Sequence, residues 1–169
     1  MTDHVKPIPE GRHTITPSII VQDAARALDF YQKAFGALDL GRLTTPDGTK
    51  IVHAEIKVGD SIIMLSDEFC EWGARSPLTV GGNSGSLHLY VENVDAAFQQ
   101  AVDAGAQVKM PPADMFWGDR YGKVVDPYGH EWGMATHRED VSPEEMEKRS
   151  AAFFNQMAKG QSACVELAG

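Results

Sequence analysis

Within residues 51–58, IVHAEIKV, His53 and Glu55 lie two apart. In an extended chain that spacing puts both side chains on one face. There a carboxylate and an imidazole can hold each other's proton and tune each other's pKa, which makes them a candidate pair for acid/base catalysis. Val52, Ala54, Ile56 and Val58 form the opposite, apolar face. The same spacing also suits a solvated hydrogen-bonded pair without catalytic duty. Further along, His88 and Tyr90 share a face with Ser86, and Glu131 shares one with Gly133. Use of His53, Glu55, His88 and Glu131 as a metal set would require four strands to converge. A third group is Met115 to Tyr121, MFWGDRY. Phe116, Trp117 and Tyr121 offer flat apolar area, and Arg120 offers a planar cation able to hold a carboxylate or phosphate by two hydrogen bonds. That mixture suits an aromatic or anionic small molecule. The alternative is that Arg120 pairs with Asp119 or Asp126 to fix its loop while the aromatics close the core.

To act together, these side chains must be carried on paired strands. Asp126-Pro127-Tyr128-Gly129 reads as a turn, with Pro127 presetting φ at its second position and Gly129 supplying conformational freedom near its end. The flanks 121–125 and 130–136 then pair antiparallel, as a hairpin at the lip of a pocket. Upstream, 38–44, 51–58 and 61–66 read as strands separated by Pro46-Asp47-Gly48 and Gly59-Asp60. Residues 13–21 alternate, with Ile15, Ile19 and Val21 on one face and Thr14, Thr16, Ser18 and Ile20 on the other, while Pro17 favours an edge. Helical spacing follows: Ala24, Ala27, Leu28, Tyr31, Ala34 and Phe35 make one stripe, capped by Asp23 and ended by Gly36.

The same order then recurs. Residues 87–91 read as a strand, Val94, Ala97, Phe98, Ala101 and Val102 as a helical stripe closed by Gly105, and 107–110 as another strand. Setting Val21 on Val91 aligns Asp23 with Asn93 and Leu28 with Phe98, a repeat of about 70 residues. The chain therefore divides into an arm (1–12), a βαβββ module (13–70), a linker loop (71–84), a second βαβββ module (85–137) and a C-terminal helix and tail (138–169). The last helix opens on Ser142-Pro143-Glu144-Glu145, a capping box with proline at the first helical position. It runs to about Ala158, with Met146, Phe153 and Met157 as the apolar side that should pack on the domain or on a partner subunit.

At 169 residues and 43% apolar, the chain can bury a substantial core. A net charge of −9 without a Lys/Arg block argues against nucleic acid or an anionic membrane as partner. Cys70 and Cys164 show neither metal spacing nor a redox pair, and no run of apolar residues is long enough for a membrane span. A reducing, cytoplasmic setting is expected. Trp72, in the linker, reads equally as a lid over a cavity mouth or as a dimer contact.

Two tandem βαβββ units, the segment TPSIIVQDAARALDFYQKAFGA and a final DPYGHEW hairpin resemble the vicinal oxygen chelate superfamily of glyoxalases, bleomycin resistance proteins and extradiol dioxygenases. His53-Ala54-Glu55, the run Ile63 to Glu68, Leu87-His88-Leu89-Tyr90-Val91 and Trp117-Gly118-Asp119-Arg120 look more narrowly like its PhnB-like branch. The resemblance implies an α+β fold in which curved mixed sheets surround a cavity with helices outside, and commonly a homodimer. In metal-using members the ligands are His, Gln or Glu on the cavity face of the first and last strand of each module. Those positions fall here on Thr16, Met64, Ser86 and Gly133, none of which suits a divalent ion. The expectation is a cavity without the family's usual metal, lined by Thr16, Met64, His88, Tyr90, Trp117, Arg120, Tyr121 and Glu131. It would serve sequestration of a small organic molecule or mild acid/base chemistry by His53 and Glu55. The rival is a metal-dependent lyase, isomerase or dioxygenase with an atypical ligand set, and a weaker third is a protein-interaction module built on the last helix.

Overall fold

Apolar strand faces and helix stripes pack together, and the sequence lays out this arrangement twice. The computed structural model describes residues 5–166, with side chains as far as Ala158; His4 and the side chain of Cys164 lie outside that range. The first half comprises β1 (Ser18–Val21), α1 (Ala24–Phe35), β2 (Leu38–Thr44), β3 (Ile51–Val58) and β4 (Ser61–Asp67). A short helix, α2 (Pro77–Val80), leads to β5 (Ser86–Tyr90), α3 (Val94–Asp103), β6 (Gln107–Asp114), β7 (Asp119–Val125) and β8 (Glu131–His137), and α4 (Pro143–Glu166) follows. Two four-stranded sheets result, ordered β1-β4-β3-β2 and β5-β8-β7-β6. In each, the first strand runs parallel to the last and the other pairs are antiparallel. The fold is α+β, a tandem βαβββ arrangement with an added C-terminal helix.

Local chemistry sets the element ends. Asp23 caps α1 by accepting from the Arg26 N–H, in a left-handed conformation that aspartate tolerates better than most residues. Gly36 ends the helix, with its own N–H and that of Ala37 donated back to Gln32 and Tyr31. Asn93 caps α3 from an extended conformation, accepting from the Ala96 N–H. The linker is more structured than its composition implied, because Ser76 and Pro77 open α2 by the same cap-then-proline chemistry that opens α4.

Helices α1 and α3 pack on each other, so the apolar faces of both sheets share one core. Its largest fully buried side chain is Trp132 of β8, whose indole lies 4.3 Å from Phe35 and 5.6 Å from Tyr31 of α1, ring centre to ring centre. The turn after β7 is the joint of this packing. Buried Asp126 accepts from the Tyr31 hydroxyl (2.8 Å), the Trp132 indole (3.0 Å) and the N–H groups of Tyr128 and His130 (2.9 Å each). The His130 ring reaches the Ile20 carbonyl on β1 at 2.9 Å. The turn expected at a pocket lip thus ties the second half to the first.

Some expected boundaries change. The first strand begins at Ser18, not residue 13, and Ile15 is 85% exposed where alternation had placed it on the apolar face. Pro17 explains this: its carbonyl accepts from Met64, but it has no N–H to continue the ladder, so strand parity does not extend through it. Strand β6 continues past Met110 to Asp114, with irregular register across Pro111 and Pro112. Helix α4 extends to Glu166, beyond the expected end near Ala158. Among the described residues, no helix is long and apolar enough to cross a membrane.

Candidate functional site

The face of the second sheet turned away from α3 carries the densest group of aromatic and titratable side chains. Register fixes who shares it: His88 lies opposite Gly133, Tyr90 and Tyr121 lie opposite Ala135, and Asp119 lies opposite His137. Because Gly133 has no side chain, the Tyr121 ring lies over it; a Cβ built there would sit 2.9 Å from Tyr121 Cε2 and Oη and 3.2 Å from His88 Nδ1. The Tyr121 and His88 rings are stacked at 5.7 Å and 9°. Tyr90 flanks His88 at 4.7 Å, and Trp117 meets Tyr121 edge-on at 5.8 Å. Four rings therefore form a continuous wall over the small floor of Gly133 and Ala135.

One carboxylate orders the end of that wall. Asp119, 5% exposed, receives the Trp117 indole N–H (3.1 Å) and the Tyr90 hydroxyl (3.3 Å) on one oxygen and His137 Nδ1 (2.7 Å) on the other. His137 Nε2 lies 3.0 Å from Asp140. Hydrogen bonds to Asp119, then to Asp140, raise the His137 pKa and favour its imidazolium. The charge of Asp119 also raises the Tyr90 pKa, which keeps that phenol protonated as a donor.

The remaining candidates fall elsewhere. His53 and Glu55 share the open face of the first sheet with Met64 and lie 3.3 Å apart, but Arg12 of the N-terminal arm also grips Glu55. Partial burial alone would raise the Glu55 pKa; hydrogen bonds from Arg12 and His53 outweigh it and hold the carboxyl below its ordinary value. Glu131 shares the sheet face with Gly133 but is paired with Lys109 (2.5 Å) and Lys123 (3.1 Å), and those hydrogen bonds lower its pKa. Arg120 points to the helix side, where it binds both oxygens of Asp95 on α3 at 2.7 Å and reaches Asp114. Its fork is therefore engaged away from the wall, with a partner neither Asp119 nor Asp126. Phe116 packs on Phe153 of α4, and Trp72 lies stacked on Phe69, 69% exposed. A cavity of about 520 Å³ runs between the halves; Thr16, His88, Tyr90, Ile15, Ile62 and Leu89 are among its lining, so it adjoins the wall at His88 and Tyr90.

Asp119 and His137 did not emerge as site residues from the sequence. The expected strands began at residue 121 and ended at 136, just short of both. Parity carried one step further would have found them, since Asp119 continues the face of Tyr121 and His137 that of Gly133 and Ala135.

Comparison with known proteins places this arrangement in a family. The family model described as Glyoxalase/Bleomycin resistance protein/Dioxygenase superfamily matches residues 4–134. The chain belongs to this superfamily. An uncharacterised protein of Mycobacterium bovis is 42% identical over 136 residues, covering 79% of this chain and 89% of that protein. Among solved structures, TioX from Micromonospora sp. ML1 aligns with a TM-score of 0.58 at 28% identity, covering 75% of this chain and 99% of TioX. A PhnB protein from Bacillus cereus aligns with a TM-score of 0.56, covering 73% of this chain and 99% of the other; at 18% identity it speaks for the fold alone.

Membership raises the question of the superfamily's metal. The residues at the four positions do not fit one: Thr16 gives its hydroxyl to the His13 carbonyl, Met64 offers only a thioether, Ser86 a neutral hydroxyl, and at Gly133 the Tyr121 ring fills the space a ligand side chain would use. The atypical set of His53, Glu55, His88 and Glu131 is not brought together either. Among the described residues, no three His, Cys, Asp or Glu side chains are grouped to hold an ion.

Proposed function

We propose that this superfamily member binds a planar aromatic small molecule on the wall formed by His88, Tyr90, Trp117 and Tyr121, and that a second copy of the chain closes the site. The observation that carries this reading is the Tyr121 ring edge lying over Gly133 and its stacking on His88: where the superfamily would place a metal ligand, this chain places aromatic surface. The exposed rings of His88 and Tyr90 suit another flat ring, because offset and edge-on contacts each add about 1 kcal/mol to simple burial. Closure by a partner is favoured by the openness of both sheet faces. His88 is exposed, Tyr90 is 62% exposed, and on the first sheet Leu38 and Leu43, which share a face with Lys57 and His53, are each 62% exposed. The acid/base reading of His53 and Glu55 has less support, since Arg12 occupies the carboxylate that would serve as base.

The test is a melting-temperature and Trp fluorescence screen of planar aromatics beside Mn, Fe, Ni and Zn ions. An aromatic ligand should stabilise the native state by mass action and perturb Trp117, and Tyr121→Ala should weaken it about fivefold to tenfold. One metal ion per chain with a rise in melting temperature, and no response to any aromatic, would overturn the reading.

A further inference from the structure

The wall ends in an imidazole whose outer partner is easily exchanged. Asp119 is buried and holds His137 Nδ1 at 2.7 Å while also receiving Trp117 and Tyr90. The imidazole is thus anchored on one side, and its Nε2 is directed away from the buried carboxylate. Nε2 meets Asp140 at 3.0 Å, and that side chain is fully exposed, 104% by relative area. An ion pair to a fully solvated carboxylate three residues away is worth little and exchanges readily. The lysines near this face, and Arg120 behind it, have firmer engagements. Lys123 and Lys109 both pair with Glu131, and Arg120 is bidentate to Asp95 on the opposite side.

Position completes the case. Tyr90, 62% exposed, and His137 bind the two oxygens of one carboxylate, Asp119, so a ring stacked on the exposed side of Tyr90 has His137 beyond its edge. Tyr90 and the exposed His88, 4.7 Å apart ring centre to ring centre, would hold the ring's face. We propose that the ligand class is an aromatic carboxylate, its ring on the wall and its anionic group taken by His137 Nε2 in place of Asp140. This rests on the aromatic-binding reading above and adds the charge the ligand must carry. The two carboxylates flanking the imidazole favour its charged form, which agrees with a role in receiving an anion.

The experiment uses a matched pair of probes, 2-naphthoate and 2-naphthamide, titrated into the full chain and followed by NMR at the Trp117 indole N–H and the His137 ring. Wild type should bind the acid about tenfold more tightly than the amide, as expected for a hydrogen bond to a charged partner. His137→Gln should reduce the acid's affinity to that of the amide. At a pH low enough to keep His137 protonated, Asp140→Asn, which removes the exposed competing carboxylate but also one of the two groups that raise the His137 pKa, should strengthen the acid several-fold without a matching change for the amide; a purely structural His137 would show no such gain. Equal affinities for acid and amide, with the Trp117 signal moving in both titrations, would overturn the carboxylate assignment and leave the aromatic site standing. A Trp117 signal that moves with neither probe would overturn both. Should His137→Gln fail to fold, the wild-type preference and Asp140→Asn decide the matter, and an unchanged acid affinity in Asp140→Asn counts against the exchange.

Discussion

At Gly133, one absent side chain changes what a sheet face can do. A Cβ there would meet Tyr121 Cε2 and Oη at 2.9 Å, the far end of a side chain that can swing aside. Gly133→Ala should therefore displace the ring rather than break the fold. The expected cost is about 1 kcal/mol in denaturant unfolding, with a reduced near-UV dichroism signal and weaker aromatic binding. A variant whose near-UV spectrum matched wild type would show that the ring does not depend on the vacancy. Parity read from the sequence had already put Gly133 beside Glu131 and His88 beside Ser86. It could not show that Tyr121 covers Gly133, because this needs the register between β7 and β8 and a rotamer, both set by tertiary packing. Arg120 illustrates the opposite limit. Its capacity for bidentate binding was legible, but the choice of Asp95 as partner depended on a helix packed across the sheet.

Among the elements, α1, β8 and the turn after β7 meet at Asp126. Its two oxygens serve four donors from α1, β8 and the turn itself, and burial leaves those donors no ready water. Removing the carboxylate should cost the desolvation of several groups at once. Asp126→Ala is expected to lower stability by about 3 kcal/mol or more, read from urea unfolding. A loss under about 1 kcal/mol would mean that solvent reaches the joint. Most elements were visible beforehand because their signals are local: Asp23 and Gly36 bracket α1, and turns separate β2, β3 and β4. The misjudged ones depended on partners. Strand β1 shortens because Pro17 cannot donate to a neighbouring strand, and β6 lengthens because β7 pairs with it on both sides of two prolines. The inter-half bond from Tyr31 to Asp126 spans 95 residues, which no short-range pattern encodes.

For the whole molecule, the two halves divide labour. Their apolar faces meet in one core through α1 and α3, while the opposite faces, one with His53, Glu55 and Met64 and the other with the aromatic wall, remain open. A single chain thus leaves the wall half-covered, and a ligand there would keep one side in water. Two copies arranged about a two-fold axis would cover both open faces with one repeated contact. A stable association needs about 1,200–2,000 Å² of buried area, and the exposed Leu38, Leu43 and Tyr90 supply apolar surface for it. The expected outcome in sedimentation velocity is a dimer that dissociates on dilution. Leu43→Glu, which alters an exposed position and so leaves the fold intact, should shift it toward monomer and weaken aromatic binding in parallel. A monomer at all concentrations, binding the aromatic probe with full affinity, would mean that the wall and the adjoining cavity suffice within one chain.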